Sequence, residues 1–222
     1  MTTRLLLVRH GETTLSAEDR FAGSTDVPLG DSGRAQAERL AERLRRDPLA
    51  AVYASPLQRT LETATIVASP HHLPVATRDG LREIAHGHWE GLRRSEVETM
   101  YPEEYAAWEE DPLSVAPAGG ECGAHVIARA MPVVREIVIA HPDHSVLVVS
   151  HKATIRLIIA SLLGLDPRGY RDRLDQAPAS LNIIDFKTPV RARLMLFNDV
   201  SHYAAKPSRP RRRLSKWWDE RP

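Results

Sequence analysis

Short aliphatic segments that alternate with helical patterns constrain this chain more than any other feature. Segments typical of buried strands cover residues 4–8, 51–54, 145–149, 182–186 and 193–197. Helical patterns cover residues 31–46, 93–100, 102–110, about 121–140 and 153–163, and residues 70–92 predict a loop region. Ser55-Pro56 predicts one more helix start, with the serine as N-cap. This alternation is typical of an α/β fold, so we expect a mostly parallel central sheet with helices on both faces.

Composition narrows the functional classes. The chain has 222 residues, of which 42% are hydrophobic and 27% are charged. These fractions exclude collagen-like, mainly disordered and membrane-spanning chains. Cys122 is the only cysteine, so no disulfide can form within the chain, and the apolar run at residues 5–8 is too short for a signal-peptide core. We therefore predict a cytoplasmic protein without a membrane partner.

Basic residues are concentrated near the C-terminal end. Residues 206–222 carry seven lysines and arginines against two acidic residues, although the whole chain has a net charge of +1. The rest of the chain is therefore mildly acidic and lacks the basic face of a nucleic-acid-binding domain. We predict a basic, flexible tail over residues 204–222. Binding to nucleic acid or to a membrane surface, or packing over an acidic site, are the alternatives for its mixture of arginine and tryptophan.

Polar side chains directly follow three of the predicted strands. His10 follows the first strand beside Arg9, Ser55 follows the second, and His151 follows the third. Ligands of open α/β sheets bind beyond the carboxyl ends of the strands. His10 taken alone is equally well explained as a polar strand end in contact with solvent. Together with Arg59, one helical turn after the second strand, the set predicts an anion site.

Four sequence blocks occur in order along the chain. They are Val8-Arg9-His10-Gly11-Glu12-Thr13, Ser55-Pro56-Leu57-Gln58-Arg59-Thr60, Leu81-Arg82-Glu83 with Gly87-His88-Trp89-Glu90-Gly91, and Val149-Ser150-His151. Phe21-Ala22-Gly23 and Gly33-Arg34-Ala35-Gln36-Ala37 lie between the first two. From residue 4 to about residue 203 the chain thus resembles the histidine phosphatase superfamily, which is phosphoglycerate-mutase-like. The Arg-His-Gly triplet alone is a weak signal, whereas the ordered set is a strong one.

The resemblance implies a phosphomonoesterase that needs no metal and no cofactor. It implies that His10 is a transiently phosphorylated nucleophile, that Arg9, Arg59 and His151 hold the phosphate oxygens, and that Glu83 gives a proton to the leaving alkoxide. These roles agree with elementary chemistry, because fixed cations stabilise a transferring phosphoryl group and an alkoxide leaves poorly without a proton. The implied partner is a small phosphorylated metabolite.

Three further positions are predicted to lie around the phosphate ligands. Ser16 stands where the resembling family often has asparagine, and Lys152 stands where it commonly has glycine. The Lys152 ammonium either contacts an anionic substrate or points to solvent. Gly23 belongs to the block between the two arginine motifs.

The region after Glu83 carries two histidines, His86 and His88, close to Glu90. Such a pair can belong to a zinc site, but no third ligand stands at a suitable spacing, so we predict no metal and place both at the pocket mouth or on the surface. Glu90 is the competing proton donor, with a solvated or helix-capping carboxylate as its alternative. Aromatic residues at 89, 101, 105 and 108 predict a small helical cap, which either only packs or also lines the substrate site.

We therefore predict one histidine phosphatase domain over residues 1–203, with a helical cap region at about 84–120. The predicted activity is hydrolysis of a small phosphorylated metabolite through a phosphohistidine. A phosphoglycerate mutase and a catalytically inactive phospho-ligand-binding protein are the alternatives. The short interval between Arg59 and Glu83 favours the phosphatase over the mutase, and the complete set of four motif residues disfavours the inactive protein. A homodimer is one option for its assembly, which the sequence does not decide.

Overall fold

A computed structural model describes residues 2–17 and 20–204 of the chain. Within this part, six strands form one sheet: β1 (Thr3–Arg9), β2 (Leu49–Ala54), β3 (Val75–Thr77), β4 (Ser145–Ser150), β5 (Leu181–Thr188) and β6 (Arg191–Asp199). Their order across the sheet is β3-β2-β4-β1-β5-β6. The first four strands in this order are parallel, whereas β5 runs antiparallel to both β1 and β6. The predicted α/β fold with a mostly parallel sheet is confirmed.

Eight α-helices connect these strands in the described part of the chain. They are α1 (Thr14–Ala17), α2 (Asp31–Leu44), α3 (Gln58–Ala68), α4 (Arg94–Met100), α5 (Pro102–Glu110), α6 (Gly123–Ala140), α7 (Lys152–Leu163) and α8 (Tyr170–Arg173). Short 3-10 helices lie at Ser69–His71, Asp79–Leu81, Gly87–Trp89 and Pro167–Gly169. A helix with the length and apolar character needed to cross a membrane is not found among them.

Side chains of β1 alternate between two hydrophobic cores, because successive residues of a strand point to opposite faces of the sheet. Leu5 and Leu7 pack in the core that includes residues of α6 and α7. Leu6 and Val8 pack in the core that includes residues of α2 and α3. Burial on both faces explains why this strand is a continuous apolar run in the sequence.

The parallel arrangement brings the ends of three strands together. β1 and β4 are paired with Arg9 opposite Ser150, and β2 and β4 are paired with Ala54 opposite Val149. The residues that come next in the chain are therefore neighbours at one edge of the sheet. Those residues are His10, Ser55 and His151.

Two local predictions are wrong. Helix α3 begins at Gln58 with Leu57 as its N-cap, so Ser55 is not an N-cap, and its hydroxyl is used in the site described below. The loop predicted at residues 70–92 contains β3, whose three residues pair with β2. A strand this short carries too little alternation to stand out in the sequence. The predicted division into residues 1–203 and a tail remains a prediction, since residues 205–222 lie outside the described part.

Helices α4 and α5 carry a separate apolar core, which we call the aromatic cap. Its buried members are Phe21, Trp89, Val97, Tyr105 and Trp108. The Trp108 ring lies 5.4 Å from that of Trp89 and 5.8 Å from that of Phe21. These large rings supply most of the apolar area that holds the cap together.

Candidate active site

A cavity of about 100 Å³ opens where β1, β2 and β4 end. Its lining consists of Arg9, His10, Thr13, Ser16, Arg20, Phe21, Ala22, Gly23, Arg59, Glu83, His86 and Lys152. Every site residue predicted from the sequence is in this set except His151. The sequence predicts no lining role for Thr13, Phe21 and Ala22, although they stand in the motif blocks, and Arg20 stands in no motif.

His10 is held in one tautomer by its own neighbour. Its Nδ1 lies 2.7 Å from the carbonyl oxygen of Gly11, and a carbonyl only accepts, so Nδ1 carries the proton and Nε2 keeps its lone pair. Burial and the cations Arg59 and Arg9 hold the pKa of His10 well below its ordinary value. The ring is therefore neutral near pH 7 and has one nitrogen suited to nucleophilic attack.

Gly11 allows the chain after β1 to pass against the start of α2. A Cβ atom at Gly11 would collide with the carbonyl group of Gly33. Glycine is therefore needed here for a close approach of backbone to backbone. The Gly11 amide also donates to the hydroxyl of Thr63, 3.1 Å away, which ties the residue after the nucleophile to α3.

Arg59 is buried and fixed by three hydrogen bonds. Its Nη1 and Nη2 each donate at 2.8 Å, to the carbonyl oxygens of Thr25 and Gly23 respectively. Its Nε donates to Nδ1 of His151 at 3.3 Å. A guanidinium held in this way is pre-positioned for a bound anion and needs no rearrangement when charge develops on it.

Arg9 supplies a second buried cation. Its Nη1 donates to the carbonyl oxygen of Gln176 at 2.7 Å, and the residue is only 7% exposed. The Nε of Arg9 is buried and has no hydrogen-bond partner within the described residues. A buried donor of this kind is costly unless an acceptor reaches it, which fits an anion in the cavity.

His151 lies behind Arg59 and is fully buried. Its Nε2 lies 2.8 Å from the Ser55 hydroxyl oxygen, and its ring centroid lies 5.2 Å from that of His10. Burial, Arg59 and His10 hold the pKa of His151 well below its ordinary value. In this arrangement the ring is neutral and braces Arg59.

Glu83 sits at the N-terminus of α7. Its Oε1 accepts from the amides of Ile84 at 3.0 Å and Thr154 at 3.2 Å, and its Oε2 accepts from the amide of Ala153 at 3.2 Å. The Thr154 hydroxyl lies 3.2 Å from Oε1, and its shorter hydrogen bond is donated to the carbonyl oxygen of Arg82 at 2.7 Å. The first amides of a helix attract a carboxylate, so they fix the Glu83 side chain at the cavity.

Glu90 has a different place and does not line the cavity. Its carboxylate accepts from the amides and hydroxyls of Ser24 and Thr25, over 2.6–2.9 Å, and from the amide of His86 at 3.1 Å. Burial opposes its charge, yet these hydrogen bonds hold the pKa of Glu90 below its ordinary value. Gly23 adopts a positive φ of 47° and a Cβ there would collide with this carboxylate. Glu90 therefore fixes the position of residues 23–25, in which the carbonyl oxygens of Gly23 and Thr25 accept from Arg59.

Ser16 and Lys152 line the cavity in different ways. The Ser16 hydroxyl donates to the carbonyl oxygen of Thr13 at 2.9 Å and accepts from its amide at 2.9 Å. It therefore closes the turn after His10. Lys152 is half-buried as the first residue of α7, which places a fourth basic side chain in the lining after Arg9, Arg20 and Arg59.

The two histidines of the loop after Glu83 have separate environments. His86 is buried with its ring 4.8 Å from that of Phe21, and burial lowers its pKa to about 4. His88 is partly exposed, with Nε2 2.8 Å from a carboxylate oxygen of Glu104. In residues 2–17 and 20–204, no three or more histidine, cysteine, aspartate or glutamate side chains are grouped so as to hold a metal ion.

Several named proteins are similar in sequence to this chain over most of its length. Phosphoserine phosphatase 1 of Hydrogenobacter thermophilus is 39% identical over 163 residues, which are 73% of this chain and 77% of that protein. Glucosyl-3-phosphoglycerate phosphatase of Mycolicibacterium vanbaalenii is 38% identical over 170 residues, 73% of this chain and 75% of that protein. Bifunctional protein Rv2228c of Mycobacterium tuberculosis is 37% identical over 90% of this chain, but the match spans only 55% of that longer protein.

Solved structures share the fold over nearly the whole described part. Bacillus stearothermophilus YhfR matches with a TM-score of 0.84 and 34% identity, over 90% of this chain and 98% of that one. A mycobacterial glucosyl-3-phosphoglycerate phosphatase in complex with inorganic phosphate matches with a TM-score of 0.78 and 31% identity, over 90% and 99% of the two chains. The family model of the histidine phosphatase superfamily, branch 1, matches residues 5–200. The chain thus belongs to the histidine phosphatase superfamily and is a phosphoric monoester hydrolase of that family.

Proposed function

We propose that this phosphatase hydrolyses a phosphomonoester of a small metabolite through a phosphohistidine formed on His10. The observation that carries the proposal is the fixed tautomer of His10. Its Nδ1 is committed to Gly11, and its ring lines the same cavity as Arg9, Arg59 and Glu83. A nucleophile, two cations and one carboxylate are the groups that phosphoryl transfer to a histidine requires.

The first half-reaction transfers the phosphoryl group to the protein. Nε2 of His10 attacks phosphorus while the guanidinium groups of Arg9 and Arg59 stabilise the charge on the non-bridging oxygens. The P–O bond to the alcohol breaks, and Glu83 gives its proton to the departing oxygen. The products are the alcohol, a phosphohistidine and a Glu83 carboxylate.

The second half-reaction returns the protein to its starting state. The Glu83 carboxylate takes a proton from a water molecule as the water oxygen attacks phosphorus. The P–N bond breaks, inorganic phosphate is released, and the electron pair returns to Nε2 of His10. Proton and charge therefore balance over the cycle without a further reactant.

The substrate class is a small phosphorylated metabolite, and two features support it. The cavity of about 100 Å³ accommodates the phosphate with little else, so the rest of the substrate extends past the lining residues, two of which, Phe21 and His86, lie beside the aromatic cap. The names of two relatives give L-phosphoserine and glucosyl-3-phosphoglycerate as the first compounds to assay.

The test is to trap the phosphoenzyme. The full chain is assayed in EDTA with p-nitrophenyl phosphate and a panel of phosphorylated metabolites, and the best substrate is then used with a ³²P label. We expect acid-labile, alkali-stable label on the wild type and none on His10→Ala. His125→Ala, an exposed histidine on α6, is the matched control and should label like the wild type.

Two results would overturn the proposal. One is turnover by His10→Ala above a few per cent of the wild-type rate. The other is a phosphorylated product in place of inorganic phosphate, which would indicate transfer between two hydroxyl groups, as in a mutase.

A further inference from the structure

The two buried arginines of the cavity differ in how the protein holds them. Arg59 donates to three acceptors, whereas the carbonyl oxygen of Gln176 is the only acceptor that the described residues offer the guanidinium of Arg9. Gln176 lies between α8 and β5, is 1% exposed and is not part of the cavity lining. The position of the Arg9 cation therefore depends on what holds Gln176, a residue to which the mechanism described above gives no task.

A pair of buried side-chain amides holds Gln176. Its Nε2 donates to Oδ1 of Asn182 at 2.9 Å, and Nδ2 of Asn182 donates back to Oε1 of Gln176 at 2.8 Å. The Ser180 hydroxyl also donates to this Oε1, at 3.1 Å. All three residues are at most 1% exposed, so a polar atom that lost its hydrogen bond here would have no water to replace it.

Backbone groups decide which way the amide pair faces. Asn182 lies on β5 beside β1, where its Nδ2 donates to the carbonyl oxygen of Leu7 at 3.0 Å. Its Oδ1 accepts from the amide of Asn198 on β6 at 2.9 Å. A backbone carbonyl only accepts and a backbone amide only donates, so Asn182 has one allowed orientation and Gln176 has to present the complementary atoms. The sheet thus fixes Gln176 through Asn182.

The backbone next to this pair is strained and needs such a support. Ala179 is fully buried at a positive φ of 50°, a conformation that residues with a side chain rarely adopt. Its amide donates to the carbonyl oxygen of His10 at 3.0 Å, and the amide of Arg9 donates to the carbonyl oxygen of Ser180 at 3.2 Å. Strained backbone persists only where its surroundings over-determine it, and such places are frequent at active sites. Residues 176–180 therefore connect the amide pair to both cavity residues at the end of β1.

We propose that Gln176 is a positioning residue whose amide pair with Asn182 sets the place of the Arg9 guanidinium in the cavity. Gln176 touches no substrate and acts only through its carbonyl oxygen. While the pair is intact, Nη1 of Arg9 is held 2.7 Å from that oxygen. The inference rests on the proposed function, since that function assigns Arg9 to the phosphoryl oxygens.

Gln176→Met tests the proposal, because it removes the amide pair while a side chain of similar size fills the space. The Arg9 guanidinium should then be less well placed. We expect inorganic vanadate, which occupies phosphate sites, to bind about 5- to 50-fold more weakly, with kcat lower by a similar factor. Ser180→Ala removes only one hydrogen bond to Gln176 and serves if Gln176→Met does not fold, with an expected loss of vanadate affinity of about two- to fivefold.

A double-mutant cycle separates positioning of Arg9 from a merely structural role. In an Arg9→Ala background, the effect of Gln176→Met on vanadate affinity should fall below about twofold, whereas in an Arg59→Ala background it should keep its full size. Equal effects in the two backgrounds would overturn the proposal, and so would wild-type vanadate affinity in Gln176→Met. The same cycle applies to Ser180→Ala.

Thr3→Val is the matched control for loss of a buried polar group. Thr3 is 4% exposed at the other end of β1 and donates to the carbonyl oxygen of His141 at 3.0 Å. Its replacement should lower the melting temperature without changing vanadate affinity. Failure of the wild type to form a phosphohistidine would count against the proposed function, whereas a normal phosphohistidine without coupling between Gln176 and Arg9 counts only against the role of Gln176.

Discussion

The cavity and the aromatic cap are held together by different kinds of interaction. In the cavity, Arg59, Glu83 and His10 are each held by hydrogen bonds to backbone groups. In the cap, the buried Nε1 atoms of Trp89 and Trp108 have no hydrogen-bond partner in the described part of the chain, and packing of large rings dominates. Directional bonds fix atoms to fractions of an ångström, whereas ring packing accepts several arrangements.

The two kinds of interaction suit two different tasks in substrate binding. The phosphate group is the same in every phosphomonoester, so a rigid cavity of fixed donors suits all of them. The remainder of the substrate varies, and under the proposed function it extends past lining residues that pack against the aromatic cap, whose shape depends on side-chain size. We therefore expect cavity variants to lose chemistry on every ester and cap variants to change which ester is preferred.

Glu83→Gln should give the largest loss. An alkoxide leaving group needs a proton and a nitrophenolate does not, so we expect alkyl phosphates to slow by about 10²–10⁴-fold and p-nitrophenyl phosphate by clearly less. Parallel kcat/KM measurements on one alkyl and one aryl ester check this. Equal losses on both esters would remove Glu83 from the role of proton donor.

Glu90→Gln is the matched control for Glu83→Gln, because it makes the same change in a carboxylate that ties down a loop. The amides of Ser24 and Thr25 would lose part of their acceptor, so Arg59 would be held less firmly. We expect a lower melting temperature and similar losses on both esters. A loss confined to alkyl esters would assign the proton to Glu90.

Arg59→Ala should reduce kcat on alkyl esters, by less than the upper end of the range expected for Glu83→Gln. Loss of one cation on the non-bridging oxygens corresponds to about 3–4 kcal/mol of transition-state stabilisation, or roughly 10²–10³ in kcat. Arg78→Ala, which removes an arginine bound to Glu136 outside the cavity, should leave kcat unchanged. A large drop in melting temperature with near-normal kcat in Arg59→Ala would make this arginine a structural residue.

Trp108→Ala should separate stability from phosphate binding. Truncation of a buried tryptophan costs about 3–5 kcal/mol of unfolding free energy, so the melting temperature should fall clearly. Vanadate affinity should change by less than about threefold, because no cavity residue is removed, while the ranking of substrates in the panel should shift. A loss of vanadate affinity as large as the change in substrate preference would show that the cap and the cavity form one unit.

The smallest effect concerns acid stability. Burial lowers the pKa of His86 to about 4, so between its unfolded value near 6.5 and pH 4 the unfolded chain binds the extra proton. The free energy of unfolding should therefore fall as the pH drops from about 6.5 toward 4. His86→Gln should flatten this slope in melting curves, and an unchanged slope would contradict the assignment.

The sequence predicts features whose signal lies in neighbouring residues and misses contacts between residues that are far apart in the chain. The strand ends carrying Arg9 and His10 follow from a short apolar run, and the cavity follows from parallel strands that end together. Ser-Pro is a local signal that predicts a helix start at Ser55, whereas the hydrogen bond between Ser55 and His151 has no local signature in the sequence. The bonds of Glu90 to Ser24 and Thr25 span 66 and 65 positions, so only the folded chain places that carboxylate.

The tie between Glu90 and residues 23–25 has a consequence for how relatives of this chain can differ in length. The carbonyl oxygens of Gly23 and Thr25 accept hydrogen bonds from Arg59. The amides of Ser24 and Thr25 donate to Glu90. An insertion or deletion of one residue there would put one carbonyl out of reach of the guanidinium. Chain length should therefore vary among homologues in the connections of α4 and α5 and stay constant at residues 23–25, where the spacing of the two carbonyl groups holds Arg59.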